Sequence, residues 1–137
     1  MSKIVLISCV SKKLQHEAKA RELYQSPLFK MSFEYASSLK PDRIFILSAK
    51  YGLLDPEKVI EPYNTTLNKM KPADICKWAK IVVEELNKVT DIQNDHFIFL
   101  AGERYRKYII HHIKSREIPM DGLSIGKQLK FLKSRLG

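Results

Sequence analysis

Three short stretches of the chain each contain an unbroken apolar run: Ile4–Ser8 (IVLIS), Arg43–Ser48 (RIFILS) and His96–Ala101 (HFIFLA). Each ends in small or polar residues. A continuous run of this length, with no alternation, is the pattern of a parallel strand buried on both faces. The segments between them change to a helical period. Glu17–Tyr24 reads as a short helix. Ser26 then offers an N-cap and Pro27 a first helical residue, and the helix they open runs to about Leu39 with Leu28, Met31, Tyr35 and Leu39 along one stripe. Lys40-Pro41-Asp42 breaks it. Pro72 opens a longer helix reaching about Val89, whose buried face is Ile75, Trp78, Ala79, Val82, Leu86 and Val89. That spacing makes Trp78 a core residue rather than a platform for a ligand. After Gly102 a helix is expected over ERYRKYIIHHIK, with Tyr105, Ile109, His112 and Ile113 inward. Glu117–Met120 is a candidate fourth strand. Ser124 caps a last helix with Ile125, Leu129, Leu132 and Leu136 inside and Lys127, Lys130 and Lys133 outside. Strands alternating with helices predict one α/β domain over residues 1–137, a three-layer α/β/α sandwich on a mainly parallel sheet of about four strands.

Candidate chemistry gathers where the strands end. In open α/β sheets ligands bind beyond the carboxyl ends of the strands. The first strand leads into Ser8, Cys9, Lys12 and Lys13. The second leads into Ser48, Lys50, Tyr51, Gly52, Asp55, Glu61, Tyr63 and Asn64, within a loop over Ala49–Met70 that is long for a compact domain. The two ends are expected to form one pocket. A lysine beside another cation, partly desolvated, has a lowered pKa and can act as a nucleophile; it can equally grip a phosphate as a plain charge, or lie solvated at the surface. Glu61 follows Val59-Ile60 and is the first choice for general acid–base work, with Asp55 second. Tyr63 and Asn64 suit a flat heterocycle, a ring to stack on and an amide to read an edge, although a core tyrosine with a turn-forming asparagine is the rival reading. Cys9 is either a nucleophile or a packing thiol, and Cys76 is structural. Gly102 at a strand end, with a helix starting at once, is an anion-binding geometry, and Tyr105 borders it. His111 and His112 are adjacent and diverge on a helix, so no metal set emerges, and no cofactor is implied.

Charge adds a partner to this picture. The 137 residues carry 24 basic and 15 acidic side chains, a net +9, with 45% hydrophobic residues. From Gly102 onward nine basic residues meet only three acids, so most of the excess lies in the last quarter. That favours a polyanion or an anionic substrate, with Arg104, Lys127, Lys130 and Lys133 on a nucleic-acid backbone; an ordinary basic protein is the plainer alternative. No apolar run approaches the ~18 residues needed to span a bilayer, and Ile4–Ile7 is too short for the apolar core of a signal peptide. With two cysteines, too few for a disulfide scaffold, a cytoplasmic setting is expected.

The pattern Ser8-Cys9…Lys12-Lys13…Leu23-Tyr24…Ser26-Pro27…Phe29 followed by Leu47-Ser48-Ala49-Lys50-Tyr51-Gly52-Leu53-Leu54 resembles a bacterial and phage family of uncharacterised small domains, from Ile4 to Leu129. More distantly, Cys9, three residues, then Lys13, together with Ser48…Gly52-Leu53-Leu54-Asp55-Pro56…Glu61-Pro62-Tyr63, is similar to segments of archaeosine synthase and the related domain of archaeal tRNA-guanine transglycosylases. That likeness implies a uracil-DNA-glycosylase-like fold and action on a nucleobase, and it singles out Lys13, Ser48, Gly52 and Glu61. In three places the motifs differ: Ile7-Ser8 stands in place of a proline before Cys9, Leu14-Gln15 in place of Pro-Tyr after Lys13, and Phe29 in place of a histidine.

The expectation is a nucleobase-processing enzyme on DNA or RNA, by N-glycosidic cleavage, base exchange or base modification. Lys13 and Glu61 would be the catalytic pair. A non-catalytic nucleic-acid or nucleotide-binding module is the first alternative, and an enzyme on a free nucleoside or nucleotide the second.

Overall fold

The computed structural model describes residues 1–137. Its central sheet has five strands: β1 (Lys3–Ser8), β3 (Arg43–Ser48), β4 (Gly52–Leu54), β6 (His96–Leu100) and β7 (Ser115–Glu117), in the order β4-β3-β1-β6-β7. β1 pairs in parallel with β3 and with β6, and β6 in parallel with β7, while β4 folds back antiparallel on β3. The three apolar runs are thus the three inner strands, and Ile4–Ile7, Phe45–Leu47 and Phe97–Leu100 are buried. The expected sheet of about four strands gains β4, a hairpin return hidden inside what reads as loop.

Strand order dictates the layers. Parallel crossovers are right-handed in almost all proteins. The chain steps from β1 to β3 in one direction and from β3 to β6 in the other, so the intervening helices α2 (Pro27–Ser38) and α3 (Pro72–Val89) cover opposite faces. Helix α5 (Ile125–Leu136) packs on α2, and α4 (Glu103–Arg106) packs on α3. The result is a three-layer sandwich. The first step to one side of β1 and the later step to the other leave a crevice between β1 and β6, at their carboxyl ends.

Local signals explain the helix starts. Ser26 Oγ accepts from Phe29 N at 3.1 Å with Pro27 at the first position, and Ser124 Oγ accepts from Lys127 N at 3.3 Å. Other expectations yield to tertiary context. Glu17–Tyr24 is not one helix. It forms β2 (Ala18–Lys19) and a single turn α1 (Ala20–Leu23), because Ala18 and Lys19 pair with β5 (Val59–Ile60) from the long loop. That loop also holds a 3₁₀ turn at Leu67–Lys69.

The expected helix after Gly102 stops after one turn and resumes only as a 3₁₀ turn at Ile110–His112. Arg116 Nη1 takes the carbonyls of Ile110 and Ile113, at 2.9 and 2.7 Å, as the chain turns back to lay β7 beside β6. The fourth strand accordingly begins at Ser115, two residues earlier than expected. On α2 it is Phe29, Ser32 and Ala36 that are buried, whereas Leu28, Met31, Tyr35 and Leu39 are half-buried, Tyr35 meeting Phe131 of α5 edge-on. Val89 and Ile125, expected inside, are exposed at helix ends, and Cys76, expected to be structural, is exposed on α3. No helix is long and apolar enough to cross a membrane.

Candidate functional site

Three strand ends arrive together because the sheet is in register there: Ile7 lies opposite Ile46 and Leu100, and Ser8 opposite Leu47. Cys9 N still bonds Leu47 O at 3.0 Å, and Ser8 Oγ accepts from Gly102 N at 3.4 Å. The site divides into a sealed part beyond β3 and an open part between β1 and β6.

Ser48 and Tyr63 form the sealed part. Ser48 is fully buried, its Oγ 2.8 Å from Tyr63 OH and 3.0 Å from Tyr51 N, which donates to it. Tyr63 OH is also 2.6 Å from Tyr24 OH. Trp78 Nε1 donates to the Ser48 carbonyl at 2.9 Å, which confirms it as a core residue with a polar task. No buried side-chain polar atom lacks a partner. Burial lifts both Tyr24 and Tyr63 far above the ordinary tyrosine range, so both hydroxyls stay protonated. Gly52 makes the turn into β4 with φ +70°, and a Cβ there would stand 2.5 Å from Glu85 Oε1, the atom that accepts Leu53 N. Tyr51 is half-buried against the edge of Tyr63, and Lys50 is exposed with Nζ 5.3 Å from the Tyr51 ring centre. None of Ser48, Lys50, Tyr51 or Gly52 lines the open cavities described next.

Lys13 joins the two parts. The chain after β1 runs out and returns, bridged at Lys13 and Tyr24 and by Leu14 N to Leu23 O at 2.9 Å. This places Lys13 Nζ over the face of Tyr63, 4.3 Å from its centre and 5.8 Å from that of Tyr24. Its hydrogen-bond partner is the Ser11 carbonyl at 3.3 Å, and it makes no ion pair. Burial lowers the Lys13 pKa below the usual lysine value of 10.5, with the neighbouring Cys9 opposing this in part. Lys12, by contrast, is exposed.

The open part is a cavity of about 690 Å³ at the β1–β6 crevice. Ser8, Cys9 and Ser11 line one side, Phe29 and Ser32 of α2 the floor, and Gly102, Glu103, Arg104, Tyr105 and Lys107 the other side. A side chamber of about 330 Å³ shares Cys9, Ser11, Thr66 and Tyr105 with it and adds Lys13, Tyr63, Asn64 and Lys69. Buried Cys9 donates to Tyr105 OH at 3.3 Å, and Tyr105 sits edge-on to Trp78 at 5.7 Å. Burial raises the Tyr105 pKa as well, with Cys9 adding to it. Arg104 is held by the Asn68 carbonyl at 3.0 Å. Sites for small molecules typically occupy roughly 300–1,000 Å³.

The structure therefore brings Ser8, Cys9, Gly102, Arg104 and Tyr105 to the main cavity and Lys13, Tyr63 and Asn64 to its side chamber. It does not bring Glu61 there: Glu61 is exposed after β5, outside the residues that line these cavities. Glu61 directly follows β5, the strand that pairs with β2. Glu103 is the carboxylate that lines the main cavity. Lys13 Nζ lies over one face of the Tyr63 ring, and the Tyr63 hydroxyl bonds Ser48 and Tyr24. Lys127, Lys130 and Lys133 lie exposed on α5, and the α5 residues that line the cavity are Ile125 and Gln128. Gly102 does not open a true helix N-terminus, as α4 is one turn long. Sequence reasoning missed Thr66, Asn68, Lys69 and Lys107; the polar run Asn64-Thr65-Thr66 ahead of Asn68-Lys69 was the available signal. No group of three or more His, Cys, Asp or Glu side chains is placed to hold a metal ion.

Comparison with known proteins bears on ancestry, not chemistry. Residues 4–134 match DUF6884, a family of unknown function. A UPF0246 protein of Shewanella piezotolerans (strain WP3 / JCM 13877) is 35% identical over 72 residues, covering 48% of this chain but only 28% of that protein's length.

Proposed function

The chain belongs to DUF6884, a family with no assigned activity, and we propose from its geometry that it processes a nucleobase in DNA or RNA. The observation that carries this reading is Lys13: a half-buried amine with a lowered pKa and no carboxylate partner, held on an aromatic face in a chamber that opens into the switch-point cavity. The cations Lys69, Arg104 and Lys107 line the same connected space, where they can take phosphate oxygens. The base would leave its stack and enter the main cavity, between Phe29 and Tyr105. The distant likeness to archaeosine synthase and its glycosylase-like fold belongs to this reading too, since two of its positions, Lys13 and Ser48, meet through Tyr63.

The step is nucleophilic. The Lys13 Nζ lone pair forms a bond to the sugar C1′ as the C1′–N bond breaks and its electron pair leaves with the base. Glu103, which lines the main cavity, relays the proton: its carboxylate takes one from the attacking amine and passes it to the departing base. Ring opening then yields an imine that water hydrolyses or an incoming base replaces.

The test is borohydride trapping on single-stranded DNA and RNA carrying natural modified and damaged bases. A covalent adduct is expected with the parent protein and none with Lys13→Arg, which keeps the charge but not a neutral amine. Glu61→Gln should trap like the parent and Glu103→Gln far more slowly. Failure to trap or release any base, with nucleic acid still bound, would instead support a non-catalytic binding module. That second reading is favoured by one feature: Lys13 Nζ bonds the Ser11 carbonyl and has no carboxylate or histidine partner.

A further inference from the structure

Arg104 and Lys107 do more than edge the main cavity. The same two side chains border a separate concavity of about 330 Å³ on the far side, between α4 and the start of α3. Its other lining residues are Met70, Pro72, Ile75 and Tyr108. The floor is therefore apolar, with one aromatic wall, and both charged residues lie along the border with the main cavity. Neither cation makes an ion pair. Arg104 uses one N–H on Asn68 O, leaving the rest of its fork free. Lys107 Nζ stands 5.6 Å from the Tyr108 ring centre.

The order across this surface is cavity, cation pair, apolar concavity. It matches the order base, phosphate, base along a single strand. We propose that the concavity at Tyr108 is a subsite for the nucleotide next to the target, and that Arg104 and Lys107 hold the phosphodiester between the two. This rests on the nucleobase reading above and narrows its substrate to single-stranded polynucleotide. A free mononucleotide would leave the second concavity empty, and a base held in a duplex stack could not enter it. Stacking on aromatic side chains is tolerant of base identity, so the subsite would add affinity without adding much sequence preference.

The experiment compares binding of a 5′-mononucleotide, a dinucleoside monophosphate and a short single-stranded oligonucleotide to the full chain. The dinucleotide should bind about tenfold tighter than the mononucleotide, the order expected for one stacked base. Tyr108→Leu, which fills the space without a π-face, should erase that advantage and leave mononucleotide binding unchanged. Equal affinity for the two ligands, or an advantage that survives Tyr108→Leu, would overturn the subsite while the nucleobase reading stood. Competition by polyglutamate as effective as that by the oligonucleotide would overturn it as well, since charge alone would then explain binding. If no nucleotide binds at all, both the subsite and the reading beneath it fall.

Discussion

The carboxyl ends of β3 and β6 lie on either side of β1 and are built to opposite plans. Beyond β3, Ser48, Tyr63, Tyr24 and Trp78 are buried and joined by short hydrogen bonds. Beyond β6, Gly102, Glu103, Arg104 and Lys107 are exposed and border open space. The sealed end carries the more reactive-looking sequence, and the open end carries the room for a ligand. The difference teaches that a hydroxyl or phenol at a strand end is not by itself a site. A buried polar network that is fully satisfied rigidifies its surroundings, and here it serves to hold Lys13 at the border with the open side.

The largest effect should come from breaking the sealed end. Tyr63→Ala removes a buried ring and leaves Tyr24 and Ser48 short of a partner, a loss expected near 3–5 kcal/mol in denaturant unfolding. Arg104→Ala on the open side should cost less than about 0.5 kcal/mol yet weaken binding of single-stranded nucleic acid. Comparable losses of stability in both variants would erase the distinction between the two ends.

Gly52→Ala tests the hairpin that closes the sealed end. The residue sits at φ +70° with Glu85 Oε1 in the path of a Cβ, so a loss of about 1–2 kcal/mol is expected from the left-handed backbone alone, and more from the displaced carboxylate. Adding Glu85→Ala should recover the second part and not the first. Complete recovery would mean that the backbone carries no strain.

The smallest effect is one of pH. Tyr24, Tyr63 and Tyr105 have folded pKa values above the ordinary 10.0. The unfolded chain therefore loses their protons first, and stability falls as pH rises through 10, by about 0.4 kcal/mol for each tyrosine at pH 10 itself. Lys13, with its lowered pKa, contributes in the opposite sense, its desolvation cost easing as it becomes neutral. Tyr24→Phe with Tyr63→Phe should therefore flatten the alkaline limb of thermal melts. An unchanged limb would place the sealed network's tyrosines in contact with water.

Much of this was legible in the chain itself. The three uninterrupted apolar runs determined the inner strands, and Ser26-Pro27, Pro72 and Ser124 determined where the main helices start, because capping and strand burial are local or near-local demands. Lys13 could be singled out for the same reason, as an amine just past a buried strand. What lay beyond reach was pairing at a distance. The return of Val59–Ile60 onto Ala18–Lys19 left Glu61 exposed outside the cavity linings, and Arg116 took the carbonyls of Ile110 and Ile113 where the chain turns back into β7. Partitioning of charge was equally hidden: Arg106 is tied to Asp121 and Ala101 O, and Arg116 to two carbonyls, while Arg104 and Lys107 remain at the cavity. Residue type and spacing determine which segments are buried and what each side chain can do. Only the tertiary fold decides which side chains are spent on holding the structure and which are left facing a space large enough for a ligand, because that depends on contacts between residues far apart in sequence.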